Sequence, residues 1–268
     1  MSDITLVTLF YNIGRETWGL YPRKVVEYLA AFETFLEYDY KMIVFVDDRY
    51  FDELNEKVQN SKFKNKVLIP INEQWLLDNL WAWSKLEREA EIMQSAKYKT
   101  LVSHRIDKNY PENTNPNYTI LTHSKIDVVN YVIDNNLTED EYLAWVDFGY
   151  FYNKVNVEFL PKSTLDLNKF DLDRVNLCLI NPIEERDKDM IYTLQYAPEK
   201  IGAYFFFANK SKFKEFQELC HRWLYNFQHL SIADDEQGIW LQCYFEDPEL
   251  FKLHVFYKWH QALKVFSK

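Results

Sequence analysis

A carboxylate at the end of an apolar strand is the clearest chemical signal in this sequence. Residues 141–152 read EYLAWVDFGYFY, so the β-rich run Tyr142, Leu143, Ala144, Trp145, Val146 leads directly into Asp147, Phe148 and Gly149. A carboxylate there is costly unless it leaves the sheet and meets a partner. In open α/β sheets ligands bind outside the carboxyl ends of the strands, which is where Asp147 falls. Gly149 permits close approach of backbone or ligand. Aspartate also caps turns, so this stretch alone leaves two readings, a turn cap and a ligand group. A second strand, KMIVFV at 41–46, ends in Asp47 and Asp48; Asp48 also suits the cap of a helix starting near Tyr50. After the first strand, ITLVTLFY at 4–11, come Asn12, Ile13, Gly14 and Arg15. The Arg15 guanidinium suits a phosphate or carboxylate ligand, or a surface salt bridge. Further on, Asp234, Asp235 and Glu236 precede the apolar Ile239, Trp240 and Leu241. One acid suffices to cap a helix there, which leaves at least one for chemistry. Like charges this close raise a carboxyl pKa toward that of a general base.

The elements that must position these groups alternate. Pro22 opens a helix that runs to about Tyr38, and KVLI at 66–69 is a short third strand stopped by Pro70. Strand, helix, strand, helix, strand within the first seventy residues implies a parallel α/β sheet. Residues 75–96 are mostly helical. Residues 107–118, DKNYPENTNPNY, are the clearest loop, either a lid or a surface excursion. Residues 120–135 read as a turn or strand followed by a helix with Lys125 near its start. VNLCLI at 175–180 and GAYFFFA at 202–208 are later strands, and 212–227 is an amphipathic helix. The whole is expected to form one α/β domain with a mixed, mainly parallel sheet.

Composition excludes several classes. No run of the 268 residues reaches the ~18 apolar positions of a membrane span, and residues 1–3 lack the basic start of a signal peptide. The expected location is the cytoplasm. A net charge of −10 opposes a nucleic-acid surface, which needs clustered Lys and Arg, although a small phosphate pocket needs only a few cations. Cys178, Cys220 and Cys243 lack metal or redox spacing and read as buried small hydrophobes. The 18% of aromatic residues are assigned chiefly to the core. His254 and His260 lie in an aromatic-basic tail, 251–268, where a lone histidine is more often structural than a metal ligand. That tail either closes the core, the favoured reading, or rests on the anionic inner face of a membrane. GxSxG, HExxH, Walker A and GxGxxG motifs are all absent.

Taken together, TLFYNIGR, the Lys125 helix, AWVDFGY, GAYFFFA and DDEQGI resemble a GT-A glycosyltransferase, and more narrowly the HtrL/YibB family of bacterial proteins. The resemblance spans nearly the whole chain. It implies a GT-A-like domain over 1–268, with a nucleotide-binding half to about 150 and an acceptor half beyond. It also implies transfer of a sugar from a nucleotide-sugar donor, UDP by the habit of the superfamily, to a lipopolysaccharide, lipooligosaccharide, capsule or lipid-linked glycan. The rival readings are a non-catalytic glycan- or nucleotide-binding protein and a sugar-nucleotide hydrolase. GT-A enzymes hold manganese or magnesium through a DxD motif, but here Gly149 stands where the second carboxylate belongs. Under the resemblance Tyr11, Gly14, Arg15, Asp47 and Lys125 face the nucleotide, with Gly149 beside it. Asp147 sits at the metal or donor sugar, with His254 or His260 as a distant second metal ligand. Asp235 or Glu236 serves the acceptor.

Overall fold

The computed structural model describes residues 4–105, 109–152, 164–256 and 258–268. Seven strands form one sheet: β1 (Ile4–Phe10), β2 (Lys41–Asp47), β3 (Lys66–Ile71), β4 (Tyr142–Val146), β5 (Val175–Leu179), β6 (Ile201–Asn209) and β7 (Phe251–Val255). Their order is β3-β2-β1-β4-β6-β5-β7. β1 pairs parallel with β2 and β4, β2 with β3, and β5 with β7, whereas β6 runs antiparallel to both neighbours. Every residue of β1 is buried, as expected of a central strand covered on both faces. Its side chains alternate between two cores. Val7 and Leu9 pack with Ile126, Val129 and Phe213 from the helices Pro116–Asp134 and Lys210–His229. Leu6 and Phe10 pack with Leu29, Phe32, Leu54 and Phe266 from helices on the other face.

The connections explain where a crevice must open. From β1 the chain passes through Val25–Glu33 to β2 and through Phe51–Asn60 to β3, both helices packing on the second core. It returns through Pro116–Asp134, on the first core, to β4 on the other side of β1. The direction of winding thus reverses between β1 and β4, and helices leave on opposite faces. Such a switch point leaves a gap outside the carboxyl ends of the two strands.

Three local expectations change. Pro70 lies inside β3 rather than ending it, because β3 is an edge strand with one side free of partners and tolerates a missing N–H. Residues 109–118 are largely helical. Pro111 opens a short helix, and Pro116 opens the 19-residue helix whose first amides are capped by Asn115. Proline at the first helical position loses only an N–H that would be unpaired anyway. Lys125 consequently sits in mid-helix. Residues 106–108 and 153–163 lie outside the described residues. The C-terminal tail closes the core: Phe251, Phe256 and Phe266 are buried, and Trp259 packs on Tyr204 at 5.5 Å. Among the described residues no helix is long and apolar enough to cross a membrane.

One buried acid makes stability depend on pH. Glu89, in the helix Leu86–Gln94, is fully buried and accepts from Gln228 Nε2 at 2.8 Å. Burial pushes its carboxyl up to about 7 from an ordinary 4.5. The folded state therefore holds this proton where the unfolded chain has lost it. The contribution is complete below pH 4.5 and is lost as pH rises through 7, on the order of 3 kcal/mol in all. Glu89→Gln should unfold at nearly the wild-type temperature near pH 4.5 and several degrees higher at pH 8, by calorimetry. A temperature difference that does not change with pH would show that Glu89 stays ionised in the fold.

Candidate functional site

The strand ends are braced before they present anything. Asp47, at the end of β2, is buried, and its Oδ1 accepts from Arg49 Nε at 2.7 Å and Arg49 N at 3.1 Å. Its Oδ2 accepts from Arg49 Nη2 and from Asn12 N at 3.1 Å. Asn12 in turn accepts from Gly14 N at 2.9 Å. Gly14 has φ +76°, a left-handed conformation that costs glycine nothing, and the chain turns there. The turn directs Arg15 back over the crevice, where its Nη1 donates to Tyr28 Oη at 2.9 Å and its Nε to Tyr21 O at 3.1 Å.

On the β4 side, Phe148 stacks between Phe10 and Phe32, with centroids 4.8 and 4.7 Å away. Pinning Phe148 in the core fixes the backbone on which Asp147 stands. Asp147 Oδ1 accepts from Trp145 Nε1 at 2.8 Å and from Lys125 Nζ at 2.9 Å. Lys125 also donates to Glu236 Oε1 at 2.8 Å and Ala203 O at 3.0 Å, so all three ammonium hydrogens are used. Burial alone would lower the pKa of this lysine; the charges of Asp147 and Glu236 outweigh it and hold the group above its ordinary value. Gly149 leaves room for the opposite wall, since a Cβ there would lie 3.1 Å from Tyr28 and 3.3 Å from Arg23.

These pieces enclose a cavity of about 160 Å³ lined by Tyr11, Asn12, Arg15, Arg23, Tyr28, Tyr118, Lys125, Trp145, Asp147, Gly149 and His260. Two guanidiniums face it without a carboxylate partner among the described residues. Arg15 is held by neutral acceptors, and Arg23 lies over Tyr152 at 3.8 Å and Tyr28 at 5.0 Å. Tyr11 joins the wall with its ring edge-on to Trp83.

The three acids at the head of the helix Glu236–Glu246 have separate partners. Asp234 pairs with Arg105 Nη2 at 2.7 Å, and its other oxygen lies so close to Gly238 that a Cβ there would meet it at 2.2 Å. Asp235 caps the helix, accepting from Gln237 N at 3.0 Å, and lines a second, smaller cavity with Arg105, Tyr110 and Glu112. Burial, then the charges of Glu236 and Asp234, raise its carboxyl well above the ordinary range. Glu236 is paired with Lys125, and its Oε2 is buried without a partner. Tyr118, which lines the first of these cavities, has its pKa raised by burial and by the fields of Asp235 and Glu236, so the two cavities are electrostatic neighbours.

The structure thus brings Tyr11, Arg15, Lys125, Asp147 and Gly149 around one cavity, with Gly14 shaping its loop. It does not bring Asp47 there, because that carboxylate is consumed in bracing Asn12 and Arg49. His254 is also elsewhere. It lies on β7 at the sheet edge, three strands from β4, with Nε2 bonded to Asn176 Oδ1 at 2.8 Å and its pKa pushed by burial down to about 4. His260 does line the cavity, and burial depresses its pKa. Among the described residues, few protein donors for a divalent cation gather at Asp147. Asp147 offers one unengaged oxygen, Gly149 offers none, and an ammonium already sits on the same carboxylate. Manganese and magnesium prefer about six ligands, mostly oxygens. Sequence reading missed Arg23, Tyr28 and Trp145. Only Trp145 carried a signal, since residues two apart on a strand share a face.

Fold and crevice together define a single-domain mixed α/β protein with a cavity at the carboxyl ends of its parallel strands. The chain belongs to the HtrL/YibB family, described as bacterial proteins of unknown function, whose model matches residues 2–268. Protein HtrL of Escherichia coli (strain K12) is 25% identical over 284 residues, covering 99% of this chain and 93% of that protein. Among solved structures, the apo form of mouse xyloside xylosyltransferase 1 aligns with a TM-score of 0.45 and 11% identity, over 94% of this chain and 84% of its own. That likeness is too distant to carry function.

Proposed function

We propose that this protein is a glycosyltransferase that binds a nucleotide-sugar donor in the β1–β4 crevice and passes the sugar to a bacterial surface glycan. The observation that carries the reading is the pair of guanidiniums, Arg15 and Arg23, that line the crevice at the switch point of the sheet and are in no ion pair among the described residues. Uncompensated guanidiniums facing a cavity call for an anion, and their planar forks match phosphate oxygens. Tyr11, Tyr28, Tyr118 and Trp145 supply faces for a base or a sugar. A UDP-sugar is the first donor to test.

In the transfer, an acceptor hydroxyl oxygen bonds to the anomeric carbon of the donor sugar. The bond from that carbon to the phosphate oxygen breaks, and its electron pair leaves on the nucleoside diphosphate. The hydroxyl proton passes to a carboxylate. Asp147 orients the donor sugar through its unengaged oxygen. Asp235 lines the adjoining cavity with Arg105 and Glu112, and we assign that cavity to the acceptor, with the ionised Asp235 carboxylate as the base. Glu236 is committed to Lys125 and serves to position it.

Asp235→Asn keeps the helix cap, because its amide oxygen still accepts from Gln237 N. Turnover should fall roughly a hundredfold or more while nucleotide affinity stays within about twofold. Unchanged turnover in the folded variant would leave Asp235 as a cap alone. With the wild type, slow donor hydrolysis that accelerates on adding glycan acceptor identifies a transferase. Hydrolysis indifferent to acceptor identifies a hydrolase, and binding without turnover a binding protein.

A further inference from the structure

Resting on the donor reading above, we infer that this site binds the diphosphate of its donor without a divalent cation, using Arg15 and Arg23 as fixed counter-charges. Lys125 is the first reason. Its three hydrogens are spent on Asp147, Glu236 and Ala203 O, and two buried or half-buried carboxylates hold it there. The acid that a metal would use therefore already shares its Oδ1 with an ammonium, and the same oxygen receives a second donor from Trp145. A metal at Asp147 would stand beside that ammonium, with like charges opposed in a poorly screened site.

Arg15 and Arg23 are the second reason. The two arginines have no acidic partner among the described residues, and both line the cavity. Arg15 is fixed by Tyr28 Oη and Tyr21 O, acceptors that hold the fork without cancelling its charge. Arg23 is fixed by stacking on Tyr152 and lies 3.3 Å from where a Cβ of Gly149 would be. The glycine in the second position of the acidic motif thus has a use of its own: it admits the guanidinium. A Cβ there would press Tyr28 and Arg23 back by a few tenths of an ångström. Where a second carboxylate would stand, this chain has Gly149 beside a guanidinium, so side-chain charge takes over neutralisation of the leaving diphosphate.

Calorimetric titration of the full chain with UDP and with inorganic pyrophosphate tests this. Affinity after treatment with chelator should match that in manganese or magnesium within about twofold. Arg23→Gln and Arg15→Gln should each weaken binding about tenfold or more, with manganese failing to restore it, while melting temperatures stay near wild type. Arg23→Lys should recover only part, since charge without the fork is not enough. Binding that appears only with manganese overturns the inference and leaves the donor reading standing. Wild-type affinity in both folded glutamine variants likewise overturns it. If a full panel of nucleoside diphosphates and pyrophosphate fails to bind in any condition, the donor reading falls as well.

Discussion

Replacing Asp147 with asparagine should lower turnover roughly a hundredfold or more and leave the melting temperature close to wild type. The carboxylate is about one-third exposed, and its Oδ1 is shared by Lys125 and Trp145. Asparagine keeps the size and one acceptor oxygen, so Trp145 retains a partner. Lys125 still has Glu236 and Ala203 O. The fold therefore loses little. What disappears is a fixed negative charge at the mouth of the crevice, on the scale of removing one well-placed electrostatic group from an active site. The decisive comparison is kcat against melting temperature for the same preparation. A variant that unfolds several degrees earlier yet turns over normally would mean that Asp147 only ties down the end of β4.

Lys125→Met should have the largest effect on stability of any single change in the crevice. Its ammonium is the hub of a buried ion cluster, and removing one partner of such a cluster leaves an uncompensated charge. Glu236 is only 5% exposed, and its Oε2 already lacks a partner. Without Lys125 both its oxygens would be unpaired. A loss of about 3–5 kcal/mol follows, roughly 10 °C in melting temperature for a domain of this size. Adding Glu236→Gln should recover much of the loss, since the uncompensated charge is gone. If the double variant melts no higher than Lys125→Met alone, packing of the lysine stem rather than charge governs the site. Nucleotide affinity in the double variant reports separately on whether the cluster orders the crevice.

Much of the scaffold was legible from local pattern. Apolar β-rich runs located the strands, and strand-helix alternation implied a mainly parallel sheet, because these depend on residues near one another in the chain. Asp147 could be placed at a strand end, Gly14 in a loop and one of the three acids 234–236 at a helix cap, for the same reason. Local rules also misled where one residue type serves two ends. The prolines and asparagines of 109–118 are loop formers in isolation and helix openers in context, since Pro116 follows the capping Asn115.

The site itself was decided by which distant segments became neighbours. Nothing in the spacing of Lys125 and Glu236 announces that they meet across 111 residues, or that the same ammonium also reaches Asp147. Strand order, not sequence distance, leaves His254 at the far edge of the sheet while His260, six residues later, lines the crevice. Arg23 had no motif at all; it becomes a cavity residue because Gly149 leaves space for it beside Tyr28. Sequence thus determined the elements and the groups at their ends, through backbone preference and burial. Tertiary structure decided which of those groups share a cavity and which are spent on one another, because charge pairing depends on distances that only packing sets.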